Sequence, residues 1–343
     1  MVKAVQVSGP TAISVVDLPR PVLTPGQVRV KVHRVGVCGT DISLLAGKLP
    51  FACYPIVPGH ELAGEIIETA GESSFEIGAR VAANPLEHCG RCSACEAGNI
   101  QYCEDVAVLG VVRRDGAFAE EVVLDDSMVR DLPAALSYDD GAMTEPVVIA
   151  ERTVRRGGIG RGDCVAVLGA GNIGLLLIQV ARLAGAGKVL VSDMLEYRLA
   201  LARGLGVDRT LNASVEDLVD VGRDELGGFD VVIDGVATEQ TLQQSIEICR
   251  PGGRIVIYGV PDPGALGVAV LDAFRKDLTI HTSRLYPRSY QAGFELLESA
   301  QLDLETLITT RVTLDELPST LRDVSAQKGE MLKVLIHPQE TTA

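Results

Sequence analysis

The chain has 343 residues, 47% of them hydrophobic and 4% aromatic, with 36 glycines and a formal net charge of −15. That length exceeds what one hydrophobic core comfortably organises, so two domains are expected, and the composition suits an α/β protein with tight strand–helix turns. The acidic balance disfavours a nucleic-acid surface or an anionic membrane, both of which need clustered Lys and Arg. From the N-terminus, MVKAVQVSG lacks the long apolar core of a signal peptide, and eight cysteines without a leader point to a reducing cytoplasm. Up to residue 150, short β-like runs over 28–32, 64–69 and 119–124 are punctuated by Pro19, Pro21, Pro25, Pro55 and Pro58, as in an irregular β domain. The texture then changes. An apolar strand over 164–168 meets a Gly-rich turn and a helix over 173–184, followed by strands at 189–191, 231–233 and 254–258 and helices at 195–203 and 240–249. Strand and helix alternating this way predict a parallel, doubly wound sheet. The most apolar stretch, 165–191, is broken by five glycines and carries Arg182 and Lys188, so it is a buried strand–helix–strand rather than a membrane span. Beyond 285 follow a helix over 290–300, a Thr-rich strand over 308–313, a helix near Leu317 and a closing strand over 332–336. Such a tail is too short for another domain and is expected to return to the first.

Four cysteines, Cys89, Cys92, Cys95 and Cys103, fall in HCGRCSACEAGNIQYC with the spacing C-x2-C-x2-C-x7-C. One short loop can wrap four thiolates around a zinc ion, and a site filled by four protein ligands is closed to substrate. This lobe, about 88–104, therefore reads as structural. Two disulfides are the alternative, disfavoured in a chain without the marks of a secreted scaffold.

Gly169-Ala170-Gly171-Asn172-Ile173-Gly174 is a G-x-G-x-x-G between a strong strand and a strong helix. Gly169 allows the tight turn, Gly171 the approach of backbone to a pyrophosphate, and Gly174 the packing of helix on strand. Asp193 closes the next strand, where a carboxylate would bind the adenosine ribose hydroxyls and repel a 2′-phosphate, favouring NAD over NADP. Arg198 lies one helical turn onward and borders the same adenosine site.

Cys38-Gly39-Thr40-Asp41 and Gly59-His60-Glu61 add a thiolate, an imidazole and a carboxylate in the first domain. With the cysteine lobe and the Gly-rich turn, these motifs resemble the zinc-dependent medium-chain alcohol and polyol dehydrogenases. GHELAGEIIETAGES is similar to that family's zinc signature, CGRCSACEAGNIQYC to its structural lobe and GAGNIG to its coenzyme turn. The resemblance implies a GroES-like catalytic domain, residues 1–150 and 285–343, with a Rossmann NAD-binding domain, 151–284. Thr144-Glu145-Pro146 resembles the sorbitol and threonine dehydrogenase branches. PFACYPIVPGHE, VAVLGVVRRDGAFAE and SRLYPRSYQAGFELLESAQLDLETLIT resemble the bacterial sugar-acid 5-dehydrogenases acting on L-galactonate or L-gulonate.

The resemblance implies Cys38, His60 and Glu61 as ligands of a catalytic zinc, distinct from the structural one, and Glu145 as a direct ligand or the partner of a zinc-bound water. Asp41 would fix the His60 tautomer. Thr40 would pass the substrate proton towards the coenzyme ribose. Ser43 stands where relatives carry a His and cannot act as a base near neutral pH, which leaves the proton to water, to another group or to Glu145. A carboxylate in place of a second thiolate makes the metal harder and suits substrates offering two oxygens. Arg284 would clamp a substrate carboxylate or form a structural salt bridge. His33, His281 and His337 read as packed or surface side chains, Cys53, Cys164 and Cys249 as small buried ones, and Arg113 and Arg114 as solvated. The implied activity is NAD-dependent oxidation of a secondary alcohol on a small-molecule polyol or sugar acid by a cytoplasmic homotetramer or homodimer. The alternatives are an L-threonine 3-dehydrogenase and a non-catalytic NAD-binding regulator.

Overall fold

Fully buried Val28, Val30 and Val32 line one face of Gln27–Gly36, the spine of the first unit, with buried Arg29 on the other. The computed structural model describes residues 1–343 except 50, 225–226, 262–263, 265, 286–289 and 341–343. Its contacts divide the chain into residues 1–145 with 287–343 and residues 146–286. The division falls inside the helix Tyr138–Arg156, a few residues before the border expected at 150.

In the first unit Gln27–Gly36 pairs antiparallel with Glu61–Ala70, Glu121–Asp125 and Lys333–Ile336. The last of these also runs parallel to Ile308–Val312. The tail therefore completes this sheet, and Leu314, Leu317, Leu321, Val334 and Ile336 share a core with Val28, Ile66, Val81 and Phe118. A small sheet of Leu86–Glu87, Ala107–Leu109 and Arg113–Arg114 carries the cysteine lobe.

The second unit is a six-stranded parallel sheet in the order Arg209–Asn212, Lys188–Asp193, Cys164–Leu168, Phe229–Asp234, Cys249–Ile257, Thr279–Thr282. Every residue of Cys164–Leu168 is buried, as the central strand of a sheet covered on both faces must be. The order reverses between this strand and Phe229–Asp234, so a crevice for a ligand is expected at their carboxyl ends. Gly169, Asp193 and Asp234 all stand at those ends. The chain is thus an α/β protein with a GroES-like β-rich domain and a Rossmann-type doubly wound sheet. None of the helices among the described residues is long and apolar enough to cross a membrane.

Two expectations need correction. Cys53 is exposed rather than buried, because its loop lies outside the sheets. Arg114 is not solvated: only 17% of its side chain is exposed, and its guanidinium bridges Glu87 and Asp125 beside the cysteine lobe. Arg113 does remain half exposed, paired with Asp105.

Candidate active site

The sulfurs of Cys89, Cys92, Cys95 and Cys103 lie within 4.8 Å of one another as free thiols. The helix Ser93–Glu96 and a 3-10 turn over Ile100–Tyr102 wrap them. Cys89 and Cys95 are 4.0 Å apart, about twice a disulfide bond length. The N–H groups of Cys89 and Asp105 both donate to Cys103 Sγ at 3.4 Å. Backbone N–H groups of Arg91 and Cys92 lower the Cys89 thiol, and that of Cys95 draws Cys92 down to about 6. Burial pushes Cys95 up to about 12. Four sulfurs this close cannot all ionise without a cation, so the donor set fits a closed tetrahedral zinc site.

Cys38, His60 and Glu61 form the other cluster of possible ligands among the described residues, with donor atoms again within 4.8 Å. Cys38 ends the run from the spine strand and immediately precedes the helix Gly39–Leu45, while Glu61 opens the partner strand opposite Gly36. Glycine is required at position 59, and a side chain at Gly36 would displace the Glu61 carboxylate. Gly59 has φ +96° and a Cβ there would meet Phe118 at 2.5 Å, and a Cβ on Gly36 would fall 2.1 Å from Glu61 Oε2.

Buried Asp41 ties the two segments together. Its Oδ2 accepts the Cys38 N–H at 2.8 Å and its Oδ1 the Gly59 N–H at 3.4 Å. The expected Asp41–His60 hydrogen bond does not form, since Oδ1 stands 3.9 Å from Nδ1, which is buried without a hydrogen-bond partner. Burial opposes a charge on His60, yet Cys38, Asp41 and Glu145 together raise its pKa well above the ordinary value. Burial raises Asp41. An anion-rich, buried set of thiolate, imidazole and carboxylate fits a divalent ion. Glu145 is buried in Tyr138–Arg156 and acts electrostatically on His60, but it lies outside the three-residue cluster. Thr40 is half-buried, with its hydroxyl 3.6 Å from Cys38 Sγ.

In the second unit, Gly169 has φ +100°, and a Cβ on Gly174 would lie 1.9 Å from the Gly169 carbonyl oxygen. Gly171 faces open space, and Asn172 and Ile173 begin the helix Asn172–Leu183. Its free N–H groups and positive end favour phosphate. Asp193 is held before any ligand arrives: it accepts N–H groups of Ala170 at 2.8 Å and Leu195 at 2.9 Å, with Arg198 at 3.5 Å. Arg198 also lies over the Tyr197 ring. Arg284 is exposed and makes no ion pair among the described residues, while its neighbour Ser283 is buried on Thr153 at 3.0 Å. Residues 286–289 of the SRLYPRSYQ motif lie outside the described residues.

The Alcohol dehydrogenase GroES-like domain family matches residues 24–134, and the Zinc-binding dehydrogenase family matches residues 172–299. A solved structure from Sinorhizobium meliloti 1021, assigned as a zinc-binding dehydrogenase and bound to NADP, superposes with a TM-score of 0.92 at 33% identity, covering 98% of this chain and 99% of that one. The chain belongs to the zinc-binding alcohol dehydrogenases. Sorbitol dehydrogenase of Bacillus subtilis (strain 168) is 29% identical over 98% of this chain and 97% of its own. An alcohol dehydrogenase (rspB) from Escherichia coli CFT073, complexed with NADH, has a TM-score of 0.92 at 29% identity over 98% and 99% of the two chains.

Two residues of this dehydrogenase escaped the sequence reading. Lys333, on the tail strand, is paired with Glu61 in the core. Tyr290 is fully buried, donates from Oη to the Ala83 carbonyl at 2.6 Å, and is raised well above the usual tyrosine range by burial and then by Glu145. Tyr290 falls within the SRLYPRSYQ motif without having been singled out, and Lys333 sits in none. A lysine at an inward position of an otherwise apolar four-residue strand, Lys333–Ile336, is the only local signal.

Proposed function

We propose that this oxidoreductase converts a secondary alcohol of a polyol or sugar acid to a ketone, using zinc and NAD. The observation that carries the proposal is the convergence of half-buried Cys38 with buried His60 and Glu61, their donor atoms within 4.8 Å of one another. Zinc held there would supply the Lewis acidity that lowers the pKa of a substrate hydroxyl, and NAD on the Gly169–Gly174 turn would supply the hydride acceptor. The protein's own groups do the rest. Asp41 keeps the two ligand-bearing segments in register. Thr40 takes the hydroxyl proton and passes it outward, and Ser43, one turn along the same helix, relays it without acting as base. Glu145 balances charge beside His60 and offers a second oxygen donor. The four-cysteine lobe is structural and holds the second zinc.

Asp193 selects NAD, because its carboxylate is oriented by two backbone N–H groups and keeps acceptor capacity for ribose hydroxyls. Arg284 clamps a substrate carboxylate. Self-association into a dimer or tetramer is supported by the edge strand Thr279–Thr282 with Ile280 48% exposed, and by Phe274, 80% exposed on Val270–Arg275.

The test follows NADH absorbance over polyols, aldonates, simple alcohols and L-threonine, with and without chelator. Chelator-sensitive oxidation of polyols or aldonates is expected. Threonine alone would make the chain a threonine 3-dehydrogenase, and coenzyme binding without turnover would leave the regulator. Primary alcohols far exceeding polyols would contradict the substrate assignment.

A further inference from the structure

Glu61 and Lys333 are an ion pair with only 2% and 1% of their side chains exposed. Lys333 Nζ also donates to the Val37 carbonyl at 3.0 Å, next to Cys38. The pair occupies a slot cut into the spine strand, for a Cβ on Gly36 would lie 2.1 Å from Glu61 Oε2 and 3.2 Å from Lys333 Nζ. The lysine is fixed at its base. Lys333–Ile336 runs between two partner strands, and the Lys333 N–H donates to the Leu307 carbonyl at 3.2 Å.

We propose that Lys333 is the resident counter-cation of the metal site, holding Glu61 when the metal is away and thereby setting how tightly the metal binds. This rests on the metal assignment above. A buried carboxylate stripped of its cation is strongly destabilised, and here Cys38, Asp41 and Glu145 crowd the same region with further negative charge. In the metal-free form Lys333 answers that charge. In the loaded form the divalent ion answers most of it, so Lys333 contributes less. Whatever stabilises the empty form more than the loaded one weakens the metal by the corresponding factor. The C-terminal return of the chain therefore does more than complete a sheet: it delivers a cation that keeps the ligand set assembled and the metal exchangeable.

The experiment uses the full chain with zinc retained in the cysteine lobe and the second site emptied, titrated with Co2+ against a competing chelator and read by visible absorption. Lys333→Met is expected to bind Co2+ about tenfold or more tightly, to release it more slowly, and to lower the metal-free unfolding temperature more than the loaded one. Lys333→Arg keeps the cation and is expected to stay near the wild type. In a Glu61→Gln background, Lys333→Met is expected to change Co2+ affinity much less. Unchanged or weaker binding by folded Lys333→Met overturns the proposal, as does an equal effect in the Glu61→Gln background. If Lys333→Met does not fold without metal, a wild-type-like Lys333→Arg supports the proposal and a tighter-binding one overturns it. A wild type that takes up no Co2+ beyond the lobe would overturn the metal assignment itself.

Discussion

Thr40 and Asp41 are adjacent in one helical turn, yet one is half-buried and the other sealed. That difference separates their tasks. Replacing Thr40 by Ala removes a proton donor and acceptor, and kcat is expected to fall by about 10²–10⁴ with metal content unchanged, while Thr40→Ser retains most activity. Loss of zinc in Thr40→Ala would show instead that the hydroxyl serves the ligand set. At the coenzyme turn, Asp193→Asn removes the charge that repels a 2′-phosphate. KM for NADP should fall and that for NAD rise, each by about tenfold, the scale of one hydrogen bond to a charged group. His33 tests electrostatics away from catalysis. It stacks on Tyr138 with ring centroids 4.3 Å apart, and its pKa lies below 6.5 because burial, then Lys31, disfavour the charge. Between the folded and unfolded values the unfolded chain binds the proton and the folded one does not, so stability declines as pH falls below about 6.5. His33→Phe keeps the stack and is expected to flatten that decline in thermal unfolding measured across pH.

At the scale of elements, the Gly-rich turn depends on contact between helix and strand rather than on flexibility. Gly174→Ala would drive a Cβ into the Gly169 carbonyl oxygen, so the helix Asn172–Leu183 must shift and carry its N–H groups off the phosphate. NADH affinity in titration calorimetry is expected to drop by about tenfold or more, with stability reduced by about 1–3 kcal/mol. Gly171→Ala meets no protein atom and should cost little stability, so a loss of NADH affinity there would report backbone approach to the pyrophosphate rather than packing. These elements were legible in the sequence because their signals are local: the buried run Cys164–Leu168, the three glycines, and Asp193 at the next strand end. Lys333 was not legible, because its partner is 272 residues away and no periodicity encodes a pairing that the tail strand creates. Arg114 was misread for the same reason: its partners Glu87 and Asp125 come from different strands. The missing Asp41–His60 hydrogen bond is a matter of a 3.9 Å separation, which spacing cannot resolve.

Across the whole molecule, the two clusters of possible metal ligands among the described residues, a four-sulfur lobe and a trio of mixed donors, both lie in the first unit, and in the proposed function the metal chemistry is divided between them. The lobe should act on stability and the trio on turnover. Cys92→Ser is therefore expected to lose one zinc and lower the unfolding temperature, whereas chelation gentle enough to spare the lobe abolishes alcohol oxidation and leaves NADH binding intact. The most direct measurement is zinc content per chain, by mass spectrometry of the intact protein, in wild type and His60→Ala, alongside NAD-linked polyol oxidation. Two zinc ions in the wild type, one in His60→Ala, and oxidation lost with the second ion are the expected result. Retention of both ions by an inactive His60→Ala, or full turnover by a chain holding zinc only in the cysteine lobe, would contradict it.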